Sequence, residues 1–275
     1  IPLVSTIHAT EHGRNLGLHN RFQVEINEIE KNLALEADKV ICCSDYMETE
    51  VMNLFGINKD KIRVIPNGVD PNLFVSLPDK PRFNISPDDK IVFFIGRLVP
   101  EKGVWQLIAA FPQVLEKIPE AKLYIGGRGP QKPDLEKLAK QLGISDKVYF
   151  TGFIRERERN FVYNQAKVAV FPSFYEPFGI VALEAMATDT PVIVGDVGGL
   201  AEIVENRVTG IKVDPSVKED LANAIIEILS NEDFAEKLRS NANKMVKSVY
   251  SWEAIARSTT AVYQEVLECS SKIIC

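Results

Sequence analysis

Two carboxylates lie close together in residues 171–187, the stretch with the most suggestive chemistry. Glu176 precedes Pro177 in a predicted loop, and Glu184, separated from it by seven residues, lies inside an apolar helical run. Gly179 falls near the predicted start of that helix, where backbone N–H groups lack intrahelical partners. Free N–H donors and the helix dipole both favour negative charge. The stretch therefore predicts a site for an anionic ligand beside two carboxylates.

Glu184 carries the strongest single signal. Apart from Glu184, all residues from Phe178 to Ala187 are apolar or glycine, which predicts a helix buried on all sides. A carboxylate in such a helix is costly unless a partner or a ligand meets it. The alternative is that Glu184 occupies one exposed edge of the helix, and Glu176 alone would be an ordinary loop charge. The pattern favours a functional role for Glu184.

Two cations form a second candidate group. Arg97 and Lys102 follow a predicted strand and flank a loop that leads into a helix at about Gly103. Cations beside a helix N-terminus suit a diphosphate. The alternative is a pair of solvated surface charges, the usual state of Arg and Lys. The position of Arg97 and Lys102 at a strand end favours the interpretation that they bind a diphosphate.

Elements that could position these residues alternate regularly from residue 90 onward. Strands are predicted at 91–95, 122–125, 147–151, 168–171, 191–194 and 211–213. Helices are predicted at about 103–117, 134–142, 155–166, 179–188, 199–205, 217–230, 233–248 and 252–268, with a kink or break at Pro112. Short strands that are apolar on both faces indicate an α/β fold with a doubly wound parallel sheet of the Rossmann type. Ligands of such sheets bind outside the carboxyl ends of the strands.

Two further candidates are less specific. Gly129 belongs to a glycine-rich turn after the second of these strands, and it could let the backbone approach a ligand or simply supply positive φ. His8 ends an early strand, where a histidine is more often structural than catalytic.

The first part of the chain also alternates strands and helices. Strands are predicted at 3–8, 40–43 and 62–65, helices at 21–37 and 44–55, and a loop at 9–20. The parallel arrangement predicts an α/β domain over residues 1–69, followed by a proline-rich linker at 70–89 and a second domain at 90–248. Because a few short strands cannot close a core, we expect the first domain to be partial.

Composition narrows the class of protein. The 275 residues are 45% hydrophobic and 25% charged, with a net charge of −6, which is typical of a globular protein and argues against a nucleic-acid surface. No apolar run reaches membrane-spanning length, so no transmembrane segment is expected. Four cysteines without C-x-x-C spacing predict reduced thiols in a cytoplasmic protein, and no metal site is expected.

These motifs together resemble a known enzyme family. Gly96-Arg97-Leu98 with Lys102-Gly103, and Glu176-Pro177-Phe178-Gly179 with Glu184, are similar to the retaining glycosyltransferases of family four. The resemblance runs from about Leu3 to Tyr263. It implies the GT-B fold, in which two Rossmann-like domains face each other across a cleft. It also implies transfer of a sugar from a nucleotide-diphosphate sugar, without a metal or other cofactor.

The resemblance implies a role for each matching residue. Arg97 and Lys102 would hold the donor diphosphate, Glu176 would face the transferred sugar, and Glu184 would bind the ribose. The backbone of Phe178, Gly179 and Ile180 would meet sugar and phosphate, and Gly152 and Phe153 would lie near the base. The last segment, 249–275, would form a helix that crosses back to the first domain.

A finer resemblance concerns residues 5–14, which look most like glycogen- and starch-synthase-like members. These extend α-glucans, so glucose from an ADP- or UDP-sugar is the expected donor group and an α-glucan chain the expected acceptor. The family's Gly-rich first loop and its earlier histidine are absent, and much of the N-terminal domain is expected to be missing. The alternatives are a sugar-nucleotide-binding module without catalysis, a GT-B enzyme with a lipid or small-molecule acceptor, and a GT-B epimerase or phosphorylase.

Overall fold

Short apolar strands and intervening helices build two separate parallel sheets. The computed structural model describes residues 1–70, 85–86 and 89–273 of the chain, with side chains to residue 269. It divides into two compact units, Ile1–Gly68 with Tyr250–Cys275, and Val69–Val249. Most of the linker predicted at 70–89, including all four of its prolines, lies outside the described residues.

The first unit contains a three-stranded parallel sheet in the order β1-β2-β3. Its strands are β1 (Val4–Ile7), β2 (Lys39–Cys42) and β3 (Ile62–Val64). Its helices are α1 (Glu11–Arg14), α2 (Arg21–Glu36), α3 (Asp45–Phe55) and α11 (Trp252–Ile273). Ile41 and Ile65 from the sheet region form a buried cluster with Ile255 and Val262 of α11. The last helix therefore supplies part of the core of the unit that contains the start of the chain.

Helix α1 corrects the prediction that residues 9–20 are a loop. Thr10 caps this four-residue helix by accepting a hydrogen bond from the backbone N–H of Gly13. A helix this short displays no apolar periodicity, so the sequence pattern could not show it. Helix α2 forms as predicted, yet only its Ala34 is buried, while Phe22 and Ile29 remain 69% and 67% exposed.

The second unit contains a six-stranded parallel sheet in the order β6-β5-β4-β7-β8-β9. Its strands are β4 (Lys90–Ile95), β5 (Ala121–Gly126), β6 (Val148–Gly152), β7 (Ala166–Phe171), β8 (Val192–Gly195) and β9 (Ile211–Val213). The chain adds strands to one side of β4 and then, from β7, to the other side, which confirms the doubly wound α/β fold. The switch point lies between β4 and β7, where a ligand site is expected.

Seven helices connect and cover this sheet in the described structure. They are α4 (Val104–Lys117), α5 (Lys132–Gln141), α6 (Glu156–Gln165), α7 (Ile180–Ala187), α8 (Gly198–Ile203), α9 (Lys218–Ser230) and α10 (Glu232–Val249). Helix α4 continues through Pro112, so no break occurs there. The buried face of α4, which includes Phe111 before the proline and Val114 after it, holds the helix against the domain on both sides of Pro112.

Strand β4, beside the switch point, lies in the core of this unit. Ile91, Val92, Phe93 and Phe94 of β4 are each at most 1% exposed. The ring of Phe93 meets that of Tyr163 edge-on, with centroids 5.1 Å apart. The loops that follow these strands therefore start from elements that are anchored in the core. None of the described helices combines the length and apolar character needed to cross a membrane.

Candidate functional site

A pocket of about 230 Å³ opens at the carboxyl ends of β4 and β7. It is lined by Phe94, Ile95, Gly96, Arg97, Lys102, Phe171, Ser173, Glu176, Ile180 and Val181. Four residues predicted for the site (Arg97, Lys102, Glu176 and Ile180) are among them. The pocket therefore brings together residues from two loops and one helix end at the switch point.

Lys102 and Glu176 form the central charged pair of this pocket. Lys102 Nζ lies 2.7 Å from Glu176 Oε2, and their side chains are only 17% and 12% exposed. Ser173, itself 1% exposed, donates from Oγ to the same carboxylate oxygen at 3.4 Å. Each of these charges is thus held by neighbours in a site that is partly removed from water.

The loops that carry this pair are joined through their backbones. Lys102 ends a 3₁₀ turn after β4, and Gly103 follows with φ +65°. A Cβ on Gly103 would lie 2.0 Å from the carbonyl oxygen of Pro172, in the loop after β7. Phe174 N–H donates to the carbonyl oxygen of Glu101 at 2.8 Å. Glycine at 103 therefore allows the two loops to approach each other, which sets the distance between Lys102 and Glu176.

Arg97 reaches the pocket from the end of β4. Its Nη2 lies 3.0 Å from Glu101 Oε1, and its side chain remains 61% exposed whereas that of Glu101 is 10% exposed. A mostly buried carboxylate thus orients a mostly exposed guanidinium. The exposed donors of Arg97 remain available to an anion at the pocket.

The N-terminus of α7 faces this region without a side-chain cap. Gly179 precedes the helix with φ +107°, and a Cβ there would meet Leu200 Cδ2 at 2.5 Å. The buried Phe178 lies against Gly199, whose added Cβ would be 2.4 Å from Phe178 Cα. Gly199 N–H donates to the carbonyl oxygen of Glu176 at 2.9 Å. Two glycines therefore allow the tight packing that fixes the start of the helix beside Glu176.

Glu184 lies one helical turn beyond Ile180 and is 9% exposed. Its Oε1 is 3.0 Å from Nη1 of Arg159 in α6. Burial raises the pKa of Glu184, an effect that Arg159 opposes and Glu156 strengthens. Its Oε2 is buried and has no hydrogen-bond partner among the described residues. One carboxylate oxygen of Glu184 therefore has a protein partner, and the other has no hydrogen-bond donor among the described residues.

The remaining predicted residues lie at neighbouring positions or in the other unit. Gly152 ends β6 with φ +69°, and a Cβ added there would have no neighbour within 4 Å. Phe153 is 65% exposed, and the Arg128 guanidinium lies over its ring. Gly129 packs so tightly that its Cβ would be 2.2 Å from the carbonyl oxygen of Leu98, which explains glycine there without a ligand. His8 follows β1 in the first unit and is exposed. The binding roles of these residues stay predictions.

Three polar side chains that contact the predicted site residues were not themselves predicted. Arg159 pairs with Glu184, Glu101 pairs with Arg97, and Ser173 touches Glu176. Ser173 lies in the sequence between a strand end and Glu176, and this position could have identified it as a site residue. Arg159 stands among alternating charges on α6, where nothing in the sequence distinguishes it from a surface residue. Within the described part of the chain, no group of three or more His, Cys, Asp or Glu side chains is arranged to hold a metal.

Comparison with known families agrees with the geometry. Residues 77–245 match the family described as glycosyl transferases group 1, and residues 1–73 match the one described as glycosyltransferase family 4. The chain therefore belongs to the group 1 glycosyltransferases, as the motifs predicted.

Curated relatives include one enzyme class named in the sequence analysis. The chain is 41% identical over 275 residues to an uncharacterized glycosyltransferase of Methanocaldococcus jannaschii, covering 98% of this chain and 70% of the relative. It is 36% identical over 264 residues to a glycogen synthase of Mycobacterium tuberculosis, covering 96% of this chain and 63% of the relative. The chain thus spans less than two thirds of the glycogen synthase.

Solved structures confirm the GT-B fold class. Sucrose-phosphate synthase from Thermosynechococcus elongatus matches 97% of this chain and 68% of its own, with 32% identity and a TM-score of 0.82. HepE from Anabaena, solved in complex with UDP-glucose, matches 98% of this chain and 72% of its own, with 25% identity and a TM-score of 0.79.

Proposed function

We propose that this chain carries the donor site of a retaining glycosyltransferase that moves a sugar from a nucleotide-diphosphate sugar to an acceptor hydroxyl. The observation that carries the proposal is the pocket at the β4–β7 switch point. There Arg97 and Lys102 meet Glu176 and the first turn of α7. Two cations and a helix N-terminus supply positive potential for a diphosphate, and the neighbouring carboxylate suits the hydroxyls of a sugar.

In this proposal the diphosphate is bound without a metal or other cofactor. The exposed guanidinium of Arg97 and the ammonium of Lys102 contact the phosphate oxygens. Lys102 keeps Glu176 as a second partner, since an ammonium has three donors. The pair therefore ties the position of the sugar-facing carboxylate to that of the diphosphate.

Transfer proceeds by breaking the bond between the anomeric carbon and the phosphate oxygen. The bonding electrons move to the diphosphate, where Arg97 and Lys102 stabilise the negative charge that develops. The acceptor oxygen forms the new bond from the same face, and its proton passes to the departing phosphate oxygen. Glu176 orients the sugar hydroxyls and stabilises positive charge on the ring, so it need not act as a covalent nucleophile.

Glucose is the sugar we propose, with UDP or ADP as its carrier and an α-glucan chain as the acceptor. The similarity to a glycogen synthase supports the acceptor, and the similarity to a structure solved with UDP-glucose supports the donor. The three cysteines that the structure describes are free thiols, which fits the reducing cytoplasm we propose as the location.

A small-molecule acceptor is the second candidate. The chain is 30% identical over 260 residues to a mannosylfructose-phosphate synthase of Agrobacterium fabrum, a name that indicates a small phosphorylated product. The donor site argued above is common to both candidates, so they differ only in what the acceptor hydroxyl belongs to.

A donor and acceptor matrix tests the proposal. UDP-glucose, ADP-glucose and GDP-mannose are each combined with glycogen, maltooligosaccharides, fructose 6-phosphate or a lipid acceptor, and release of nucleoside diphosphate is measured. We expect release that depends on both partners, and an α-linked product by NMR. Calorimetry with UDP, ADP and GDP is run in parallel. Binding without any transfer would support the non-catalytic module, and absence of nucleotide binding would overturn the proposed donor site.

A further inference from the structure

An ion pair that the proposed function does not use connects α6 to α7. Arg159 Nη1 lies 3.0 Å from Glu184 Oε1, and the two side chains are 22% and 12% exposed. One turn along α6, Tyr163 donates from its hydroxyl to the carbonyl oxygen of Val181 at 3.2 Å. Val181 lines the donor pocket. Helix α6 therefore holds both the first turn of α7 and the carboxylate one turn beyond it.

Each partner of this pair keeps one buried polar atom without a hydrogen-bond partner among the described residues. These atoms are Arg159 Nε, a donor, and Glu184 Oε2, an acceptor. Leaving such buried atoms unpaired costs free energy. A hydroxyl group can donate to Glu184 Oε2 or accept from Arg159 Nε. The open acceptor on Glu184 thus matches a donor such as an alcohol better than it matches a phosphate, which is an anion.

We propose that Arg159 is a positioning residue that holds Glu184 charged and oriented for the ribose hydroxyls of the donor, and so sets a preference for ribonucleotides over 2′-deoxyribonucleotides. This rests on the proposed function. Without Arg159, a buried Glu184 would lose its fixed orientation and its compensating charge.

The groups around Glu184 determine how its charge depends on pH. Helix α6 contributes Arg159, Glu156 and Tyr163, all of which interact electrostatically with Glu184. Strand β8 has no ionisable residue, and Lys167 of β7 is exposed. The residues of α10 that are buried are all apolar: Ala235, Leu238, Ala242 and Val246. Burial raises the pKa of Glu184 and Arg159 lowers it, so removal of Arg159 raises that pKa further.

A purely structural ion pair is the competing explanation. Replacing a buried pair by apolar residues is often neutral or even stabilising, so a change in stability cannot distinguish the two explanations. Selectivity between two nucleotides that differ by one hydroxyl can distinguish the two explanations, because a purely structural role would affect the binding of both nucleotides equally. A pH profile of that selectivity gives a second, independent readout.

The experiment measures binding of UDP, ADP and GDP, and of their 2′-deoxy forms, to the 275-residue protein by calorimetry across a range of pH. The variants are Arg159→Leu, Arg159→Lys and Glu184→Gln. The matched control is Arg239→Leu, because Arg239 of α10 is 18% exposed and also pairs with glutamates, Glu232 and Glu236. Circular dichroism establishes that each variant is folded.

We expect the wild-type protein to prefer the ribonucleotide roughly tenfold, the value of one hydrogen bond to a charged group. Arg159→Leu and Glu184→Gln should bring the ratio close to one, Arg159→Lys should keep part of it, and Arg239→Leu should leave it unchanged. If Arg159→Leu retains part of the preference for the ribonucleotide, lowering the pH should abolish that remainder at a higher pH than it abolishes the preference of the wild-type protein. An unchanged ratio in Arg159→Leu, together with its loss in Glu184→Gln, would overturn the role of Arg159 but keep the donor site. If the wild type binds no nucleotide, the proposed function fails and this inference fails with it.

Discussion

Lys102 Nζ lies 2.7 Å from Glu176 Oε2 although 74 positions separate the two residues in the chain. The pair joins the loops that follow β4 and β7 at the switch point of the sheet. It also couples a cation proposed for the diphosphate with a carboxylate proposed for the sugar.

Lys102→Ala should weaken transfer roughly 100-fold, because one preorganised charge on the leaving group is lost. Turnover with saturating acceptor and calorimetry with nucleoside diphosphate measure the effect. Lys132→Ala is the control, since Lys132 pairs only with Glu136 on the surface of α5 in the described structure. Near-normal turnover of a folded Lys102→Ala protein would contradict the diphosphate assignment.

Glu176→Gln should reduce kcat by about 100-fold or more while nucleoside diphosphate binding changes little, because the carboxylate acts on the sugar. The amide keeps the shape of the side chain but removes its charge. Rate measurements with the donor sugar are compared with calorimetry on the nucleoside diphosphate alone. A loss of nucleotide binding equal to the loss of rate would show that Glu176 serves mainly to hold Lys102.

Gly103→Ala should destabilise the second unit by more than about 2 kcal/mol, since its Cβ would clash with the carbonyl oxygen of Pro172. Gly143→Ala is a matched control, because Gly143 has φ +69° against +65° at Gly103 and nothing within 4 Å of its added Cβ. The control should cost only about 1 kcal/mol, for the left-handed backbone. Urea unfolding compares the two, and equal costs would refute close loop contact as the reason for Gly103.

Glu265 anchors α11 in the first unit through Lys39 and Arg63, and these hydrogen bonds lower its pKa. Because the pKa is lower in the folded protein, the stabilisation is fully present at pH values above the ordinary pKa of a glutamate. It is lost as the pH falls through the pKa of Glu265 in the folded state. Glu265→Gln should therefore cost at most about 1 kcal/mol at neutral pH, since the side chain is 35% exposed, and nothing in strong acid. Thermal melts at both pH values measure this, with the exposed Glu268→Gln as control. A cost that persists in acid would exclude the charge as its cause.

Local sequence predicted the second unit well, and the reason is physical. Runs such as 91–95 are apolar on both faces and short, so they favour buried parallel strands whatever surrounds them. Parallel strands in a doubly wound sheet end at a common edge, which was enough to group Arg97 and Lys102 with Glu176. The family motifs at the same positions gave the glycosyltransferase class, and the comparisons confirm it.

Only the tertiary structure decided which side chains and backbone groups contact the residues of the candidate site. Nothing near Arg159 in the sequence shows that it reaches Glu184, because the contact depends on how α6 packs against α7. The backbone approach of Gly103 to Pro172 is likewise a property of two loops brought together by the sheet. Side-chain type and local period are encoded within a few residues, whereas partners, burial and pKa depend on elements distant in the chain. The sequence by itself therefore determined the class of the protein and the main charged residues of its candidate site, and the tertiary structure determined which partners hold those residues.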